Sequence, residues 1–223
     1  MRSRSLPTAR LYVHGRFDSR HYALFDWLQG DGEVGDGSPL GYAIGRVLSQ
    51  MHETRVDGAG VVRSGEWEFA EWGSFIEDNV QRFFRPRLEE LCDKQLPASQ
   101  IERSLKTLVA QCQDARVAPR LLHGDLGLDN VVCNEGALVG LIDPGWCIGG
   151  DPLLDVSHFE TLVRDASILD GFKAGYRGYA DLDRQRLASY AIYHYAAKLL
   201  HRLDDGPRDK ADAWAARLIA VIG

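Results

Sequence analysis

The chain has 223 residues, 45% of them hydrophobic and 26% charged. That is an ordinary globular composition and not that of a disordered chain. Its 26 Lys and Arg stand against 32 Asp and Glu, a net charge of −6, which argues against a nucleic-acid partner, since a duplex binder needs a basic face. No apolar run approaches the roughly 18–20 residues of a membrane span. The first residues, Met1 to Pro7, carry basic side chains with no apolar stretch behind them, so no signal peptide is expected. Cys92, Cys112, Cys133 and Cys147 form no Cys-x-x-Cys pair. They read as reduced, mostly buried thiols of a cytoplasmic protein.

Residues 9–16 and 21–28 are rich in aromatic and β-branched side chains around Phe17-Asp18-Ser19-Arg20, a pattern that predicts a β-hairpin. The glycine- and acid-rich run 30–37 is a loop. Ser38 and Pro39 then read as the N-cap and first residue of a helix with Leu40, Ile44, Val47, Leu48 and Met51 on one face. From Glu66 to Gln113 the spacing is helical, with a break near residues 96–99. Phe69, Trp72, Phe75, Ile76, Val80, Phe83 and Phe84 form one stripe, and Ile101, Leu105, Leu108, Val109 and Cys112 a second. Residues 120–143 read as short strands around loops. From about Val156 the chain is helical, broken near 171–178 and 204–207. The order gives an α+β fold, mostly helical.

One segment concentrates chemistry. Leu121-Leu122-His123-Gly124-Asp125-Leu126-Gly127-Leu128-Asp129-Asn130-Val131-Val132 sets polar residues between two apolar runs. Leu141-Ile142-Asp143-Pro144 and Gly150-Asp151-Pro152-Leu153-Leu154-Asp155 follow it. An Asp at a strand end, an Asn five residues on and a second Asp on the neighbouring hairpin strand can converge. Their oxygens are hard ligands suited to Mg²⁺ on a nucleotide phosphate, and an Asp off the metal can take a proton from an attacking hydroxyl. Asp151 before Pro152 reads as a helix N-cap. His158 and Glu160 face either an acceptor pocket or solvent. Gly30-x-Gly32-x-x-Gly35 imitates a dinucleotide fingerprint, but Asp31, Glu33 and Asp36 put three carboxylates where a pyrophosphate would sit.

His-Gly-Asp-x4-Asn, then apolar-Ile-Asp, then Gly-Asp-Pro-x2-Asp, resembles the aminoglycoside phosphotransferase family, and the His-Gly-Asp-x-Gly-x-Asp-Asn variant resembles its hygromycin-type members. The resemblance implies a protein-kinase-like fold, with residues 1–30 as an N-lobe hairpin and hinge and residues 31–223 as a helical C-lobe whose catalytic loop spans 120–156. It implies Asp125 as catalytic base, supported by His123, with Mg²⁺ held by Asn130 and Asp143. Asp155 would brace the loop from behind, and the backbone of Asp26 and Leu28 would pair with the adenine of ATP. The implied partners are a nucleotide and an aminoglycoside-like acceptor. In that fold three strands and a helix, roughly 40–60 residues, precede the hairpin, and they carry the phosphate-covering loop and a Lys–Glu pair. Here eight residues precede Ala9, and the first lysine is Lys94. The expectation is a shortened N-lobe whose sheet edge is open to self-association or a partner chain. Two functions therefore stand at this point: a small-molecule kinase, and a truncated, pseudokinase-type or split protein that binds without catalysis.

Overall fold

The computed structural model describes residues 6–63, 65–92, 97–144, 148–205 and 208–222. Strands β1 (Leu11–Phe17) and β2 (Arg20–Phe25) pair antiparallel through Phe17↔Arg20. Asp18 takes the left-handed conformation at the turn (φ +54°). β2 ends at Phe25, short of the expected 28, and residues 26–30 run on outside it as a strap. Tyr12, Phe17, Tyr22, Leu24 and Phe25 all stay exposed on this hairpin.

Helix α1 (Gly37–Met51) starts earlier than Ser38-Pro39 suggested, because the Asp36 side chain accepts the Ser38 N–H and caps it. Its apolar face is buried as the spacing predicts. The expected helix from Glu66 is corrected at its start. β3 (Ala59–Arg63) and β4 (Glu66–Phe69) form a hairpin, and α2 (Trp72–Asn79) follows it. Beyond a π-helical and a 3₁₀ turn lie α3 (Leu88–Cys92) and α4 (Ala98–Asp114). The expected break falls on residues that lie partly outside the described ones, as do Cys147 and the Cys92 side chain. Cys112 and Cys133 are buried free thiols.

β5 (Arg120–Leu122), the β6–β7 hairpin (Val131–Asn134, Ala137–Leu141) and β8 (Ile148–Gly150) lead into α5 (Pro152–Leu162). One four-stranded sheet has the order β4-β3-β8-β5. β8 is Ile-Gly-Gly because a Cβ on Gly150 would lie 2.4 Å from the Trp72 ring. The residues after β5 lie beside the first turn of α5, where Asp155 accepts the His123 and Gly124 N–H groups.

α6 (Ala166–Gly175) runs through Gly171 and ends at Gly175, within the break expected near 171–178, and α7 (Arg184–Asp205) and α8 (Arg208–Ile222) complete the chain. α6 continues because its glycines meet those of α1. A Cβ on Gly41 would lie 2.0 Å from the Ile168 carbonyl oxygen, and one on Gly171 2.1 Å from that of Ser38. The two helices thus pack backbone against backbone. Under them Phe159 stacks on Phe172 at 4.4 Å, and buried Trp72 donates its indole N–H to Tyr190 at 2.6 Å. Among the described residues no helix is long and apolar enough to cross a membrane.

Candidate active site

β5 ends at buried Leu122, and the chain turns through Gly124 at φ +83°, a conformation open to glycine. The turn aims two backbone N–H groups at one carboxylate. His123 N–H donates to Asp155 Oδ2 at 2.7 Å and Gly124 N–H to Oδ1 at 2.8 Å. Asp155 stands fully buried in the first turn of α5. His52, just past α1, bridges it to another helix end, with Nε2 3.1 Å from Asp155 Oδ2 and Nδ1 2.9 Å from the Tyr176 hydroxyl. Burial pushes the Asp155 carboxyl up. The hydrogen bond and charge of His52 and the two loop N–H groups outweigh burial and hold it below its ordinary value.

The β6–β7 hairpin meets this loop from the other side. Beyond the Val131↔Leu141 pair, Ile142 N–H donates to the Asn130 carbonyl at 3.0 Å. The Ile142 carbonyl accepts from His123 Nε2 at 3.0 Å, so that nitrogen carries the ring proton. Asp143 follows directly, exposed and left-handed at φ +51°, ahead of Pro144. The Asn130 side-chain amide N–H donates to the Asp125 backbone carbonyl at 2.7 Å, which leaves Oδ1 of Asn130 free to accept. Asp125, Asn130 and Asp143 are therefore gathered at one end of one hairpin by three backbone-directed bonds.

The Asp125 side chain is 42% exposed, and two groups approach its Oδ1: Lys198 Nζ from α7 at 3.5 Å and His158 Nε2 from α5 at 3.6 Å. His158 is buried. Burial first, and the Lys198 charge second, push its pKa down to about 4, so it is neutral near pH 7. Its ring lies 4.7 Å from that of His194, which is also held well below its ordinary value by burial and by His158. Of the two α5 positions left open above, His158 faces the site, whereas Glu160 accepts from the Tyr179 hydroxyl elsewhere. Asp151 caps α5 through Leu153 N–H and accepts from Tyr190, outside the site. Lys198, His194 and His52 escaped the sequence reading. For the first two the available signal was a polar pair, four residues apart, on an otherwise apolar face of α7.

The strap after β2 reaches the same hairpin. Asp26 N–H donates to the Arg10 carbonyl at 2.9 Å, and its carboxylate accepts from Arg10 N–H at 3.2 Å and from the Tyr12 hydroxyl. Leu28 lies over Gly140, where a Cβ would come within 2.7 Å of its Cδ1. Asp31 N–H donates to the Cys133 carbonyl at 3.1 Å.

Among the described residues no cluster of three or more His, Cys, Asp and Glu could cage a metal. The Asn130 and Asp143 oxygens fit an ion that keeps waters and takes phosphate oxygens, which is the habit of Mg²⁺.

The model of the phosphotransferase enzyme family matches residues 1–190. No curated protein sequence matches the chain. Among solved structures, a thermostable mutant of aminoglycoside phosphotransferase APH(4)-Ia in ternary complex with ADP and hygromycin B superposes with a TM-score of 0.75 at 20% identity. The match covers 99% of this chain and 78% of that one. The GDP and kanamycin complex of APH(2")-IIia gives 0.62 at 18% identity, over 97% and 75% of the two chains. A Thermobifida fusca protein assigned as a fructosamine-3-kinase gives 0.66 at 19% identity, over 99% and 74%. At these identities the likeness is one of fold, and the fold is protein-kinase-like.

Proposed function

The chain belongs to the phosphotransferase enzyme family, and we propose that it transfers the γ-phosphoryl group of ATP to a hydroxyl of a small polar molecule. The observation that supports this is the bonding of Asp125 to Asn130 and of Asn130 to Ile142, which sets Asp125, Asn130 and the residue after Ile142, Asp143, at one hairpin end.

In this reading Asp125 orients the acceptor hydroxyl and takes its proton as the new bond forms. Its Oδ1 is engaged by Lys198 and His158, so Oδ2 is the oxygen that faces the acceptor. Asn130 and Asp143 hold Mg²⁺, which when bound neutralises charge on the phosphates of the nucleotide. His123 and Asp155 fix the loop backbone. The strap at Asp26 and Leu28 receives adenine. The N–H and carboxylate of Asp26 are taken by residues of its own hairpin, which leaves its carbonyl for the base edge. The ligands of two relatives, hygromycin B and kanamycin, support a polyhydroxylated acceptor. Lys198 beside Asp125 argues against a polycation.

Calorimetry with Mg·ATP on the wild type and Asp143→Ala, beside phosphate transfer from labelled ATP by the wild type and Asp125→Asn, tests the assignment. Asp143→Ala should weaken Mg·ATP binding. Asp125→Asn should keep that binding and lose about 10²–10⁴-fold in kcat, since an amide accepts protons poorly. Full transfer by Asp125→Asn would overturn the base assignment. Nucleotide binding without transfer by either protein would favour a non-enzymatic, pseudokinase-type binder.

A further inference from the structure

Resting on the phosphotransferase reading, we infer that Lys198 determines acceptor specificity, and that the acceptor is an anionic hydroxyl compound, a sugar acid, hydroxy acid or sugar phosphate, and not an aminoglycoside. An ammonium group beside the reacting carboxylate repels a second cation and attracts an anion, and on the acceptor side of Asp125 that ammonium is Lys198.

The geometry is specific. Lys198 lies on α7, its side chain 30% exposed, so it is open to a ligand while within 3.5 Å of Asp125 Oδ1. His194 stands one turn before it on the same face and donates Nε2–H to the Leu154 carbonyl at 3.0 Å. That bond and the contact with His158 build a buried imidazole wall behind the lysine. Both imidazoles are held neutral by burial, so they add no negative charge and offer no carboxylate to an amino group.

Among the described residues, four carboxylates on the surrounding elements are committed elsewhere. Asp155 is turned to the loop backbone, Asp151 to Tyr190 and Arg186, Glu160 to Tyr179, and Asp204 to Arg87. A polycationic acceptor needs several acidic partners. Asp125 itself is already paired with Lys198. An anionic acceptor meets the opposite arrangement: its negative group takes up the ammonium, and Asp125 is released to the hydroxyl beside it. Specificity then comes from attraction of one charge and exclusion of the other.

The test is equilibrium binding of gluconate, glycerate, glucose 6-phosphate and kanamycin to the wild type, Lys198→Met, Lys198→Glu and the control Lys106→Met. Lys106 pairs with Glu102 on the surface of α4 and is not among the groups that approach Asp125, and its loss changes net charge equally. The wild type should bind at least one of the anions more tightly than kanamycin. Lys198→Met should weaken that anion about 10-fold or more, Lys198→Glu should weaken it further and gain kanamycin, and Lys106→Met should keep the wild-type preference. Where transfer from Mg·ATP is measurable, the loss in Lys198→Met should fall on KM for the anion more than on kcat. Tighter binding of kanamycin by the wild type, binding of none of the anions, or equal anion affinity in the wild type and Lys198→Met would each overturn the inference. Absence of transfer to every acceptor would count against the phosphotransferase reading instead, and the binding preference would still decide the role of Lys198.

Discussion

Two places in this molecule bring distant backbones together, and they do it by opposite means. At the α1–α6 seam the sequence leaves side chains out: Gly41, Gly45, Gly171 and Gly175 let two helices touch through carbonyls and Cα atoms. At the His123–Asp125 loop it puts one side chain in. The buried Asp155 carboxylate gathers the N–H groups of His123 and Gly124 and the ring of His52. The seam is held by close packing and has nothing to titrate. The clamp is held by charge and hydrogen bonds in a place without water, where a carboxylate is strongly favoured by its partners and costly without them. The first kind of contact tolerates no addition, and the second no loss.

Adding a side chain to the seam should have the largest effect. Gly41→Val forces a Cβ to within 2.0 Å of a backbone oxygen that cannot rotate aside. The expected cost exceeds about 5 kcal/mol, enough to abolish a cooperative thermal transition in a domain of ordinary stability. A native-like midpoint for this variant would mean that the helices do not meet at Gly41. Removing the clamp should come next. Asp155→Ala leaves two loop N–H groups and His52 without their acceptor, at about 3–5 kcal/mol by chemical denaturation. Transfer activity should fall as well, since the Asp125 loop loses its anchor. A variant that unfolds like the wild type would break the distinction drawn above.

The smallest effect is expected from acid, and it sharpens the contrast because only the clamp side responds. His158 is held at about 4 in the folded protein against an ordinary 6.5. Its folded value lies below its unfolded one, so the stability tied to its neutral form is complete above pH 6.5. That stability is lost as pH falls through that window to about 4, up to about 3 kcal/mol. Asp155, also depressed, keeps its contribution above its ordinary 3.8 and loses it only below that value. Denaturant midpoints of the wild type and His158→Phe between pH 7 and 4 check this. The variant should show a shallower decline, and parallel curves would refute the assignment of the window to His158.

The clamp's loop was legible because its chemistry is local. His123, Gly124, Asp125 and Asn130 lie within eight residues, and the hairpin that returns to Asp143 follows at once, so the spacing, together with the family resemblance, points to this loop. The seam was not legible. Glycines in a helical pattern read as breakers, so the break expected near 171–178 reaches back to Gly171, whereas the helix runs on to Gly175. Its value lies in a partner helix far along the chain. The β4-β3-β8-β5 sheet was missed for a related reason. β8 is three residues with two glycines, and Phe69 of β4 continues the apolar spacing of α2 closely enough to pass for its first turn. Lys198 sits 73 positions from Asp125, and only the fold reveals that they meet.

The α1–α6 seam also sets an order of events during synthesis. α1 emerges from the ribosome early with a bare glycine face, and the helix that covers it is made only after the sheet and both later hairpins. Translation adds roughly 5–20 residues per second, so for seconds that face has no mate. A nascent chain interrupted before Ala166 has its Asp125 loop already written and the glycine face of α1 still open. Chaperone capture of chains stalled on either side of α6 should therefore differ sharply, with the shorter ones retained.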